Sequence, residues 1–138
     1  MAQAERLFPL PFPETEPFWE GCRRHELLVP RCLGCGAFRF FPGPLCPRCW
    51  FPQLEWVRAS GKGTLYSYVI SHSALPNVEE PPVILAVVEL EEGLRLLSFL
   101  RGLAADLAEL SIGMDLEVAF EEVDPRITVP TFRPASSR

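Results

Sequence analysis

The chain has 138 residues (15.5 kDa), of which 48% are hydrophobic and 22% charged, a globular composition that excludes an intrinsically disordered protein. Thirteen basic against 18 acidic residues leave a net charge of −5, the wrong sign for a protein whose main task is gripping phosphate backbone. The longest apolar run, Val83 to Val88, is strand-sized, and Pro9, Pro11, Pro13 and acidic residues interrupt any basic-then-apolar leader, so the expected location is the cytoplasm.

In chain order, the first thirteen residues alternate proline with Phe8, Leu10 and Phe12 and read as an extended arm. Glu14 and Thr15 precede Pro17, which suits a first helical turn because its missing N–H is not needed there. Phe18, Trp19 and Cys22 then follow at helical spacing, up to about Arg24. Leu27 to Arg31 reads as extended, and Cys32 to Cys49 is rich in turn residues.

Beyond Gly61 the period becomes two. Thr64 to Ile70 alternates, Val83 to Leu90 is a β-branched run expected to be buried on both faces, and Leu94 to Leu100 follows a turn at Glu91-Glu92-Gly93. Ala104 to Leu110 is the one helical stretch here. Leu116 to Glu121 is a strand with one wet face, and Ile127 to Phe132 a last strand demoted to an edge by Pro130. The expected fold is mainly β: an N-terminal helix and a turn-rich, cysteine-bearing ribbon in residues 1–59, then a five-stranded OB-fold barrel in 60–138. The boundary at Ala59-Ser60 is also one of charge, +1 before it and −6 after it.

Cys32-Leu33-Gly34-Cys35 and Cys46-Pro47-Arg48-Cys49 are two C-x-x-C pairs with ten residues between them. Two thiolates three apart on a tight turn hold one edge of a tetrahedron, and the second pair supplies the other. Gly34 and Gly36 give the first turn a permissive backbone, and Pro47 stiffens the second. A segment this short cannot bury enough apolar surface to fold unaided, so the spacing points to one structural zinc on Cys32, Cys35, Cys46 and Cys49. Iron in a rubredoxin-like site and disulfides or free thiols are the alternatives. Arg31, Arg39 and Arg48 lie near the ligands and offset the thiolate charge; Trp50, where a small residue would follow a knuckle more comfortably, is expected to pack over the site.

Other candidates are weaker. Cys22 and His25 are three apart, but nothing nearby orients the histidine, so a buried small side chain beside a surface imidazole is the plainer reading. His72 falls at a strand end and Asp124-Pro125 at a turn; no nucleophile elbow, phosphate loop or dinucleotide fingerprint is present. Phe18 and Trp19 on one small helix either cover the core or offer a subunit interface.

The order of these features resembles a known family. A Pro17-Phe18-Trp19 helix, Glu26-Leu27-Leu28, the four-cysteine ribbon, Gly61-Lys62-Gly63-Thr64, Ile112-Gly113-Met114 and a terminal Phe132-Arg133-Pro134 match proteins that join a rubredoxin-like zinc ribbon to an acyl-CoA-associated OB-fold, a domain long of unknown function. The resemblance covers residues 14 to 134 and implies a non-catalytic accessory subunit. Its partner is expected to be a separate thiolase-like enzyme, aldolase or enoyl-CoA hydratase, and its ligand an acyl-CoA thioester. The −6 barrel should not hold the CoA phosphates by itself, so Arg23, Arg24, Arg31 and Arg39 are the candidates for the nucleotide end. The rival functions are a single-stranded nucleic-acid binder stacking bases on Tyr66 and Tyr68, and a freestanding enzyme using Cys22.

Overall fold

The computed structural model describes residues 12–40, 42–73, 81–103 and 107–135. A 3-10 turn (Pro13–Thr15) leads into helix α1 (Glu16–Arg23), with Pro17 in its first turn as expected. Phe18, Gly21 and Cys22 form its buried face. Its C-terminus closes in a Schellman pattern: Glu26 N–H reaches Gly21 O at 2.8 Å and His25 N–H reaches Cys22 O at 2.9 Å. That pattern requires a left-handed residue, and His25 supplies it at φ 60° while its ring stacks on Phe120 at 5.1 Å.

Strands β1 (Leu28–Cys32) and β2 (Leu54–Arg58) form an antiparallel ribbon in which Pro30 faces Trp56. The turn-rich segment between them carries the cysteines. Five strands follow: β3 (Lys62–Ser71), β4 (Val83–Leu90), β5 (Arg95–Phe99), β6 (Asp115–Asp124) and β7 (Ile127–Pro134). Their order is β5-β4-β3-β6-β7, all neighbours antiparallel. The open ends meet where Leu100 bridges Phe132 in parallel, Arg101 N–H bonds Phe132 O at 2.7 Å, and Ser98 Oγ donates to Pro130 O at 2.8 Å. Pro130 therefore lies on the terminal strand as expected, and its carbonyl helps close the barrel. Arg101 also makes a two-pronged pair with Glu121 of β6, at 2.6 and 3.2 Å. The result is the OB-type barrel that the pattern predicts.

One core runs through both halves. Phe18, Cys22, Leu27, Val29 and Ala59 belong to the same buried cluster as Leu65, Ala86, Val88, Leu116 and Phe132. Helix α1 packs on β7 as well as on β1, so the ribbon is seated on the barrel through the helix.

Two expectations change in detail, and one strand is additional to them. Strand β4 buries one face fully: Ile84, Ala86, Val88 and Leu90 point inward, whereas Leu85, Val87 and Glu89 are half-buried. Its apolar outer positions had made it look enclosed on both sides. The helix expected over Ala104–Leu110 is a 3-10 turn at Leu107–Glu109, residues 104–106 lying outside the described ones, as does the arm with Phe8 and Leu10. Strand β2, flanked by Pro52 and only five residues long, had too short an alternation to register in the pattern.

Candidate metal centre

The four cysteine sulfurs lie within 4.8 Å of one another. Cys32 Sγ is 3.5 Å from Cys49 Sγ, and Cys35 Sγ is 3.8 Å from Cys46 Sγ. Sulfurs at about 2.3 Å from a tetrahedral zinc stand about 3.8 Å apart, whereas a disulfide needs about 2.05 Å, so the donor set fits an ion rather than bonded pairs. Cys32 and Cys46 are buried and Cys35 and Cys49 exposed, placing the site at the surface of the ribbon tip.

The two knuckles repeat one design. In the first, Gly36 N–H bonds Cys32 O at 3.0 Å and Gly36 has φ 79°. In the second, Trp50 N–H bonds Cys46 O at 2.8 Å and Trp50 has φ 67°. A tryptophan thus occupies the left-handed slot that glycine fills in the sister turn, at a steric cost of about 1–2 kcal/mol. Trp50 does not cover the metal site as expected; it is 72% exposed. Phe51 covers the knuckle instead: a Cβ on Gly34 would lie 2.7 Å from Phe51 Cβ, so only glycine fits there.

Backbone amides tune the thiols. The N–H of Cys35, against the opposing effect of burial and together with that of Gly34 (3.2 Å), pulls Cys32 down to about 6. The N–H groups of Cys49 and Arg48 lower Cys46 in the same way. Cys49 receives the Phe51 N–H, yet burial and its three sulfur neighbours outweigh that bond and push it up to about 11. Four thiols this close cannot all ionise alone; a divalent cation resolves the conflict by replacing the remaining protons. Four sulfur donors also close the coordination sphere, leaving no position for a substrate.

The remaining candidate residues scatter. Phe18 is 5% exposed, with its ring edge-on to Trp19 (4.9 Å) and near Phe40 (5.1 Å); it is part of the core, while Trp19 keeps a partly open face. Arg23 pairs with Glu20, Arg24 with Glu26 (3.5 Å) and Arg31 with Glu55 (3.4 Å). Arg39 differs: Nη2 donates to Gly43 O at 3.2 Å, but Nε and Nη1 are buried without a hydrogen-bond partner. The exposed face of Tyr66 lies under Arg95, whose Cζ is 3.8 Å from the ring centroid, and Arg95 is itself paired with Glu89. Tyr68 packs against the core, so the two rings form no stacking platform. His72 is exposed just beyond β3. Asp124 closes the β6–β7 turn by accepting from Arg126 Nε and N–H, both at 2.9 Å, which holds its carboxyl below the usual range. Cys22 is fully buried, its thiol pushed up to about 12 by desolvation, and His25 turns away to Phe120. They form no nucleophile pair.

Residues 19–55 match the family described as the ChsH2 rubredoxin-like zinc ribbon domain, and residues 56–121 match the ChsH2 C-terminal OB-fold domain. A probable enoyl-CoA hydratase alpha subunit of Thermomonospora curvata is 40% identical, covering 86% of this chain and 37% of that protein. The chain thus spans about a third of the length of the hydratase alpha subunits that it matches. A DUF35 domain-containing scaffold protein of Methanocaldococcus jannaschii is 32% identical, with 72% of this chain and 71% of that protein covered. Among solved structures, the chain is similar to one from the Ltp2-ChsH2(DUF35) aldolase, with 36% identity, a TM-score of 0.84, and 94% and 100% of the two chains covered. With both modules matched in order and a scaffold protein aligned over most of its length, the chain belongs to the DUF35 family, a ChsH2-type zinc ribbon followed by an OB-fold.

Proposed function

We propose that this chain is a non-catalytic accessory subunit that carries one structural zinc on Cys32, Cys35, Cys46 and Cys49 and docks on a separate enoyl-CoA hydratase-, aldolase- or thiolase-type chain acting on acyl-CoA thioesters. The observation that carries this reading is the end-to-end likeness, at 36% identity, to a chain of an aldolase named for its two components. The closed four-sulfur site and the buried, protonated Cys22 agree with it, because neither offers substrate a reacting group. Residues 1–59 and 60–138 are its two modules. Ala59 N–H bonds Leu27 O on the ribbon side and Ser60 N–H bonds the Glu92 carboxylate on the barrel side, at 2.7 and 2.9 Å. Trp19 supplies part of the docking surface.

Co-expression with each hydratase-, aldolase- and thiolase-type chain of the source genome tests the reading. The expected result is a stable two-chain complex with one of them by size exclusion with light scattering. No complex with any of them rejects the reading.

The acyl-CoA lies, in this reading, with its nucleotide end toward the ribbon-side arginines. Arg23, Arg24 and Arg31 are already paired with carboxylates, whereas Arg39 pairs with none among the described residues and leaves its buried Nε and Nη1 without a hydrogen-bond partner, a desolvation cost of about 1–3 kcal/mol. Arg39→Gln is therefore expected to raise the Kd of the complex for acyl-CoA by about tenfold, or some 1.4 kcal/mol, and the Arg23→Ala/Arg24→Ala pair by less. Calorimetry with an acyl-pantetheine lacking the nucleotide is the control. Equal losses for both ligands would mean that Arg39 acts through assembly.

A further inference from the structure

The tip of the ribbon is apolar and uncovered. Leu33, Leu45, Trp50 and Phe51 are 52%, 44%, 72% and 40% exposed. Each lies within two residues of a cysteine whose sulfur belongs to the four-sulfur cluster, which gathers their backbones around one small site. Trp50 is the most informative. It is held in a left-handed slot that its sister turn gives to Gly36, yet its ring is left largely in water. A strained backbone position with an exposed indole is not explained by the stability of this chain; strain of this kind collects where function needs it.

Charge narrows the occupant. From Leu33 to Gln53 there is no carboxylate, and the cations are Arg39 and Arg48. Arg48 is exposed beside Trp50 and, among the described residues, forms no ion pair. An apolar patch with an unpaired arginine at its edge suits a protein surface that offers a hydrophobic pocket rimmed by a carboxylate. A second copy of this chain using the same face offers no carboxylate between Leu33 and Gln53 to receive Arg48. A nucleotide would find one exposed cation at this patch, Arg48, for several phosphate charges, Arg39 being half-buried.

We propose that Trp50, framed by Leu33, Leu45 and Phe51 with Arg48 at the rim, is the anchor by which the zinc ribbon docks into an acidic-rimmed apolar pocket of the acyl-CoA enzyme chain. This inference rests on the accessory-subunit reading and adds the surface that carries it. Its signature is opposite signs at one residue. Trp50→Gly relieves the backbone strain, so the free chain should keep its zinc and its melting temperature, or gain up to about 3 °C. The same change removes the anchor and should weaken the complex by about 30-fold or more.

The experiment measures zinc content, melting temperature and affinity for the co-expressed enzyme chain, for wild type, Trp50→Gly and Arg48→Gln. Both variants are expected to keep zinc and fold while losing affinity, with Arg48→Gln acting mainly on the association rate and its salt dependence. Wild-type affinity in both variants overturns the proposed surface while leaving the accessory role intact. A wild-type chain that binds none of the enzyme chains overturns both. An unaffected enzyme complex with CoA binding lost in Trp50→Gly assigns the indole to a nucleotide instead. An unaffected enzyme complex with self-association lost assigns it to a second copy; either result overturns the proposal.

Discussion

Removing the metal with a strong chelator, or replacing Cys46 by Ser, is expected to open the ribbon tip and leave residues 32–53 sensitive to protease. The strands that bracket this segment form a two-stranded sheet, which is marginal in water without other support. Between them the side chains that are buried outright include Cys32 and Cys46 themselves, so the ligands are also the local core. Structural zinc contributes about 10–16 kcal/mol of apparent binding energy to small ribbons, far more than so little apolar burial provides. The damage should fade toward α1 and β1, because Phe18, Leu27 and Val29 share a core with the barrel. Elemental analysis of the native protein should give about one zinc per chain and a colourless solution. Limited proteolysis before and after chelation maps the loss. A red, iron-loaded protein from zinc-replete cells, or a Cys46→Ser variant as protease-resistant as wild type, contradicts this view of the site.

The four-cysteine cluster was legible because metal chemistry writes itself into spacing: two C-x-x-C pairs on glycine- and proline-bearing turns have few other uses. The barrel strands were legible because alternation records a half-buried sheet; β4 begins at Val83 and ends at Leu90, the residues that bound the apolar run. What the pattern missed follows from what periodicity cannot record. Strand β2 is too short and too close to Pro52 to announce itself, and it takes its structure from pairing with β1. Phe18 and Trp19 look alike in sequence, but only the docking of α1 onto β7 decides that Phe18 is buried. Trp50 carried a readable signal, since it stands where the first knuckle has Gly36. Its apolar character suggested packing over the cysteines, yet Phe51 already fills that place against Gly34. The partners of the arginines were invisible, because Arg31 meets Glu55 across the ribbon and Arg39 meets Gly43 through a turn.

The proposed division of labour between this chain and an enzyme partner has the other large expected effect. Cys22, the free thiol outside the metal cluster, is enclosed by the core and holds its proton far above neutral pH. A thiol in that state is a poor nucleophile, and Cys22→Ala should change packing without changing chemistry. The most direct measurement is acyl-CoA turnover by three samples: this chain alone, the enzyme chain alone, and the purified complex. The expected result is no turnover by this chain, turnover by the complex, and the same turnover when the complex carries Cys22→Ala. Turnover of an acyl-CoA thioester by the isolated chain, abolished by Cys22→Ala, would contradict the accessory role directly.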